Sequence, residues 1–170
     1  MPLTVREARP EEYAVIGQLT VDAYESLVGP DGLHGYRDEL LDVAGRASCG
    51  AVLVAVDGGE VLGAVGYVAG PRTAMSEFTD DDACGIRMLA VAPRRQGHGT
   101  GRALVEACLE RARREGRRRV LLHSTPAMVV ARGLYSRLGF HRAATRDVVI
   151  PKEALDADEP LVLLAYELVL

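Results

Sequence analysis

Apolar positions fall in short blocks whose period changes along the chain, and each change marks an element boundary. Leu3 to Ala8 reads as a short strand. Arg9-Pro10-Glu11-Glu12 then sets a proline and acids at a helix start. Val15, Ile16, Leu19 and Ala23 recur at helical spacing, which predicts a helix to about Tyr24. After the turn Gly29-Pro30-Asp31-Gly32, Tyr36 to Val43 reads as a second short helix. Ala51 to Val56, the turn Asp57-Gly58-Gly59 and Glu60 to Val68 form a hairpin. Gly70 to Asp82 is a polar loop, Gly85 to Val91 a strand and Gly99 to Glu115 a long helix. That helix should bury Leu104, Cys108 and Ala112, flanked by Val105 and Leu109. Val120 to His123 is a strand, Met128 to Leu138 a helix, and Phe140 to Ile150 and Leu161 to Leu168 closing strands. The alternation predicts an α/β (α+β) domain over residues 1–170, a mixed sheet with helices on both faces and no linker or repeat.

Leu161-Val162-Leu163-Leu164-Ala165-Tyr166 is too uniformly apolar for a strand with one wet face, so it is either central in the sheet or meets another subunit.

Composition narrows the class. The chain has 170 residues, 48% of them hydrophobic, and a net charge of −4. It is long enough for a full core and is not a polyanion binder. Of its 20 basic residues only Lys152 is lysine. The run Arg117-Arg118-Arg119 reads as a solvated helix exit, since no aromatics interleave it, and no nucleic-acid partner is expected. Cys49, Cys84 and Cys108 are odd in number and widely spaced, which argues against disulfides and zinc. The N-terminus reaches charge before any apolar run develops, and no run reaches membrane-spanning length. A cytoplasmic protein with no membrane contact is expected.

The chemistry concentrates in Val91-Ala92-Pro93-Arg94-Arg95-Gln96-Gly97-His98-Gly99-Thr100-Gly101-Arg102, a strand end running through a glycine-rich basic turn into a helix. Alternate glycines let backbone N–H groups approach an anion, and the helix start adds unpaired donors and a dipole of matching sign. The spacing is not that of a P-loop, which needs Lys-Ser or Lys-Thr. Nor does it fit a dinucleotide fingerprint, because the third glycine comes one position early and the region 20 residues on is basic.

Gln96-Gly97-His98-Gly99-Thr100-Gly101 resembles the acyl-CoA-binding signature of the GNAT superfamily of N-acetyltransferases, Gln/Arg-x-x-Gly-x-Gly/Ala between a strand and a helix. Ala131-Arg132-Gly133-Leu134-Tyr135 followed by Gly139-Phe140 resembles its second signature, and Ile86 to Val91 resembles the strand that feeds the turn. The resemblance implies the GNAT fold, a mostly antiparallel sheet in which the strands ending at Val91 and His123 splay apart to admit pantetheine. It implies acetyl-CoA as co-substrate and a small-molecule or peptide amine as acceptor. Backbone groups of Leu89, Ala90 and Val91 would bond the pantetheine amides. Gln96, Gly97, His98, Gly99, Thr100, Gly101 and Arg102 would hold the pyrophosphate, with Arg94 and Arg95 near the adenosine phosphate. Tyr135 would touch the CoA sulfur; a phenol of pKa near ~10 keeps its proton at neutral pH and so has one to give a thiolate. Members of the family often dimerise through C-terminal strands, which makes a homodimer the expectation for Leu161–Tyr166.

Two positions depart from the family pattern. Gly85 stands where many members carry a Glu base, and Met128 where many carry an Asn that binds pantetheine, for which Ser124 or Thr125 could substitute. Gly85 favours a non-catalytic acyl-CoA sensor of the same fold, whereas Tyr135 favours the enzyme. Glu77, Asp80, Asp81 and Asp82 are expected to be solvated loop acids, none of them essential. His98 and His123 are discounted as catalytic groups and His34 as no more than a wall of the acceptor pocket. No partner at ligand spacing suggests a metal site, and no Gly-x-Ser-x-Gly elbow suggests a hydrolase. Tyr24, Tyr36 and Phe78 are either pocket walls or core.

Overall fold

The computed structural model describes residues 2–170. The chain order is β1 (Thr4–Glu7), α1 (Tyr13–Val28), α2 (Arg37–Leu41), α3 (Val43–Ser48), β2 (Gly50–Asp57), β3 (Glu60–Val68) and β4 (Ala83–Val91). There follow α4 (Thr100–Arg114), β5 (Arg119–Ser124), α5 (Val129–Arg137), β6 (His141–Arg142), β7 (Val148–Ile150), α6 (Lys152–Leu155) and β8 (Leu161–Val169). The sheet runs β1-β2-β3-β4-β5-β8-β6, with β7 pairing farther along β8. Its ladders are antiparallel except β4–β5, which is parallel.

Strand alternation gives the sheet two buried faces. Ala51, Leu53 and Ala55 of β2 face Leu104, Val105 and Cys108 of α4, while Val52 and Val54 face Ile16 of α1 and Val43 of α3. The predicted stripe of α4 is buried, Leu104 and Cys108 completely. Leu104→Ala would leave a cavity in this layer and should cost about 2–5 kcal/mol.

Within the Leu161–Tyr166 run, Leu164–Tyr166 pair with β5, and Leu161–Leu163 pair with β7 alone. A central position accounts for the apolar character of the second half of the run, while Leu161–Leu164 stay half-buried. Three boundaries differ from expectation. The helix predicted over 36–43 is broken at Asp42, whose carboxylate caps α3 by accepting from Gly45 N at 2.9 Å. The single strand predicted over 140–150 is interrupted by a 3₁₀ turn at Ala144–Arg146, where Asp147 bonds Arg142 and the Ala165 N–H. The short α6 has no apolar period and was not predicted.

Candidate functional site

The parallel ladder runs from Ala83↔Arg119 to Ile86↔Leu122 and stops there, while β4 continues five residues to Val91. Past that point β5 pairs only with β8. The two strands part as the resemblance implied, leaving one edge of Arg87–Val91 without a strand partner.

At this opening β4 carries a bulge. Its pairing to β3 jumps from Gly66↔Arg87 to Ala64↔Ala90, so Met88 and Leu89 both oppose Val65. Met88 takes φ 54°, a left-handed conformation that costs an unbranched side chain energy and persists only where the surroundings enforce it. The surroundings include Arg46, 4% exposed, whose Nη1 donates to the Glu39 and Leu40 carbonyls and lies 3.0 Å from Met88 Sδ. The bulge also breaks alternation. Ile86 and Leu89 face the α4 side, and Met88 joins Val21, Leu33 and Leu40 on the other.

The glycine turn follows. Gly97 and Gly99 have φ of 81° and 84°, and no side chain caps α4, so the first-turn N–H groups after Gly99 stay free for an anion. Gln96 Nε2 donates to the Val91 carbonyl at 3.3 Å, and His98 Nδ1 lies 2.9 Å from the Gln96 carbonyl. Among the nearby arginines, Arg95 pairs with Glu60 and Arg102 with Glu106 on the surface. Arg94 is exposed and has no partner among the described residues. Gly101 differs from the others. A Cβ there would sit in ordinary contact with Leu134 and Val91, at 3.5 and 3.6 Å, pointing between α5 and β4.

Tyr135 projects from α5 into the α4-side core, 5% exposed, with its ring edge-on to Phe140 and tilted against Tyr166. Its hydroxyl has no hydrogen-bond partner among the described residues, yet it is not among the sealed polar atoms. Burial raises its pKa well above that of a free phenol, so it is protonated throughout the neutral range.

On the opposite face lies a cavity of about 990 Å³, floored by the ends of β4 and β5 and walled by α1, the 32–36 segment and residues 150–163. Tyr24, Tyr36 and His34 line it, as do Ser124, Thr125 and Met128; Ser124 Oγ is 3.5 Å from Met128 Sδ. Phe78 lies elsewhere, over Gly85. A Cβ at Gly85 would meet the Phe78 ring at 2.9 Å, so the space of the family's strand glutamate is taken by an aromatic from the loop.

That packing seats the neighbouring Glu77 beside the opening, contrary to the expectation of solvated loop acids. Glu77 Oε1 pairs with Arg87 Nε at 3.2 Å and Oε2 with His123 Nδ1 at 2.5 Å, while Arg87 Nη2 donates to the Tyr36 hydroxyl at 2.9 Å. Asp80 is held by Arg146 at 2.7 and 2.9 Å, and Asp82 by Arg119 at 3.2 Å; Asp81 reaches only the exposed Arg72. Arg119, expected to end a solvated helix exit, instead opens β5 and is half-buried in an ion-pair network with Asp82 and Glu167. His123, discounted from sequence, is 9% exposed, with Nε2 2.9 Å from the Arg146 carbonyl. Both ring nitrogens face acceptors, an arrangement that only the imidazolium satisfies. Burial works against that charge, but the Glu77 and Arg146 contacts outweigh it and raise the His123 pKa; His123 and Arg87 in turn lower that of Glu77. The lone aromatic Phe78 in a polar loop was the one sequence sign of this cluster.

The sign of the linkage follows. Glu77 stabilises the fold above the ordinary carboxylate range, and His123 stabilises it below pH ~6.5, fading as pH rises through its raised folded pKa. Thermal unfolding of the parent and of His123→Gln should differ most between about pH 5 and 6.5, and the gap should narrow toward pH 9. A gap that widens with pH would contradict the charged pair.

The profile of the Acetyltransferase (GNAT) family matches residues 14–140. The chain is similar in structure to a ribosomal-protein-alanine N-acetyltransferase from Brucella melitensis, with 21% identity, 98% of this chain and 99% of that one covered, and a TM-score of 0.71. It is also similar to yncA, a putative acetyltransferase from Salmonella typhimurium solved with acetyl-CoA, at 22% identity, 99% and 94% coverage and a TM-score of 0.71. A GNAT family acetyltransferase from Brucella melitensis in complex with acetyl-CoA shares 28% identity over 82% of this chain and 83% of that one, at a TM-score of 0.62. No curated protein sequence matches the chain.

Proposed function

The chain belongs to the GNAT family of acetyltransferases, and from that premise we propose that it moves an acetyl group from acetyl-CoA to a primary amine by direct attack, with Tyr135 as the acid. The observation that carries this reading is the opening between β4 and β5, which has the uncapped glycine turn at one end and Tyr135 on one face. The turn after Val91 supplies N–H donors and Arg94 for the CoA phosphates, and the free edge of Leu89–Val91 supplies backbone partners for pantetheine. In this reading, backbone N–H groups at the Met88–Leu89 bulge, out of register with β3, would polarise the thioester carbonyl.

The reaction balances without an acyl-enzyme. The neutral amine attacks the thioester carbon, a C–N bond forms, the C–S bond breaks, and the sulfur leaves with the electron pair. A free phenol already lies ~1.5 units above a thiol, and burial raises Tyr135 further, so complete proton transfer from Tyr135 to a free thiolate is uphill. The step is completed because the nitrogen, acidified as the amide forms, returns a proton to Tyr135. Positioning two bound reactants supplies much of the acceleration.

No base occupies the strand. Phe78 fills the space over Gly85, and Glu77, held between two cations with a lowered pKa, is a weak proton acceptor. The amine then loses its proton before it reaches the floor. For one acceptor, kcat/KM should rise with pH along that amine's own ionisation, and the limb should move when an amine of different pKa is used. A limb fixed near one pH for every amine would indicate a base on the protein. The direct experiment is release of free thiol from acetyl-CoA across an amine panel; tight acetyl-CoA binding without amine-dependent release would favour a sensor.

A further inference from the structure

We propose that the acceptor is a small-molecule primary amine with a bulky apolar body, and not a peptide N-terminus or a polyamine. This rests on the acetyl-transfer reading above and names the substrate class of the same site. At about 990 Å³ the cavity lies at the upper end of small-molecule pockets. Much of its wall is apolar, with Leu33, Met88, Ile150, Leu155, Leu161 and Leu163 contributed by α-helical, strand and loop segments from both sides.

The charged groups of its floor are engaged mainly with one another. Arg87 is engaged by Glu77 and Tyr36, Glu77 by Arg87 and His123, His123 by Glu77 and the Arg146 carbonyl, and Ser124 by Met128 Sδ. A peptide entering here would strip water from its backbone amides against a mostly apolar wall, with Tyr24, His34, Thr125 and the exposed carboxylates as the side chains left to partner them, a penalty an apolar body escapes.

Charge separates the polyamine from the apolar amine. With His123 protonated, Arg87 and His123 against Glu77 leave the floor itself positive, which disfavours an ammonium there and admits the neutral amine, while the lining as a whole is net acidic. The exposed carboxylates Glu39, Asp158 and Glu159 also line the cavity. They can draw an ammonium toward the mouth, but their interaction with it is screened by water and salt.

The test uses the full chain, acetyl-CoA and four acceptors, namely tryptamine, methylamine, an alanine-initiated hexapeptide and spermidine, with acetyl-CoA binding followed separately by thermal shift. We expect kcat/KM for tryptamine to exceed each of the others by about tenfold or more, from apolar burial alone against methylamine. The hexapeptide or spermidine matching tryptamine while acetyl-CoA still binds would overturn the proposal and leave the acetyltransferase reading standing. Failure of acetyl-CoA to bind would overturn both. Leu163→Ala and Leu155→Lys, on two walls, should each raise the tryptamine KM several-fold or more and preserve the acetyl-CoA thermal shift. An unchanged KM in both would show that this cavity does not hold the acceptor.

Discussion

Tyr135→Phe lowers turnover by roughly 10²-fold or more, the usual scale for losing a positioned acid, and leaves acetyl-CoA affinity within a few-fold. The structure separates the two effects. The ring keeps its contacts with Phe140 and Tyr166 when the hydroxyl is removed, and the hydroxyl has no partner to lose among the described residues. A structural role alone would therefore leave both the fold and the rate near the parent's. Steady-state kinetics with a good acceptor, together with a melting curve, decide the matter. Unaltered turnover would make Tyr135 a packing residue and leave the thiolate to depart unassisted.

Gly99→Val should abolish the stabilisation that acetyl-CoA confers. A ligand held only by the folded state at 100 times its Kd stabilises by about 2.7 kcal/mol, a rise of about 5–10 °C in Tm for a domain of this size. Among the described residues nothing lies within 4 Å of a Cβ at Gly99, so space is not the obstacle. The φ of 84° is, because a β-branched residue cannot hold it and the turn must turn its N–H groups elsewhere. Gly101 behaves differently, since its Cβ would point between Leu134 and Val91 and not across the helix start. Gly101→Ala should retain most of the thermal shift. A full shift in Gly99→Val would remove the phosphates from this turn.

The parts of the site that were legible in sequence are those built from neighbouring residues. The turn from Val91 to Arg102 is local, and α4 repeats its stripe over enough residues for its period to be unambiguous. The break at Asp42 has no periodic signature, because the apolar spacing continues through it and only the Gly45 cap reveals it. The bulge at Met88 has no local signature. It depends on Arg46, 42 residues earlier, and on the register of β3. The cluster on the cavity floor is the clearest case. Glu77 looked like one solvated acid among four, and its placement follows from Phe78 packing over a glycine on another element and from a histidine 46 positions later. Polar residues in loops acquire their roles from such distant partners, which no single-sequence period records.

The most direct test of acetyl transfer through the β4–β5 opening is the stoichiometry of thiol release from acetyl-CoA, measured with the purified chain and a saturating apolar amine. Free CoA thiol and N-acetylated amine should appear in equal amounts, at a rate that saturates in both substrates and falls by roughly 10²-fold in Tyr135→Phe. Tight acetyl-CoA binding with thiol release no faster than in the absence of protein, for every amine tried, would contradict it.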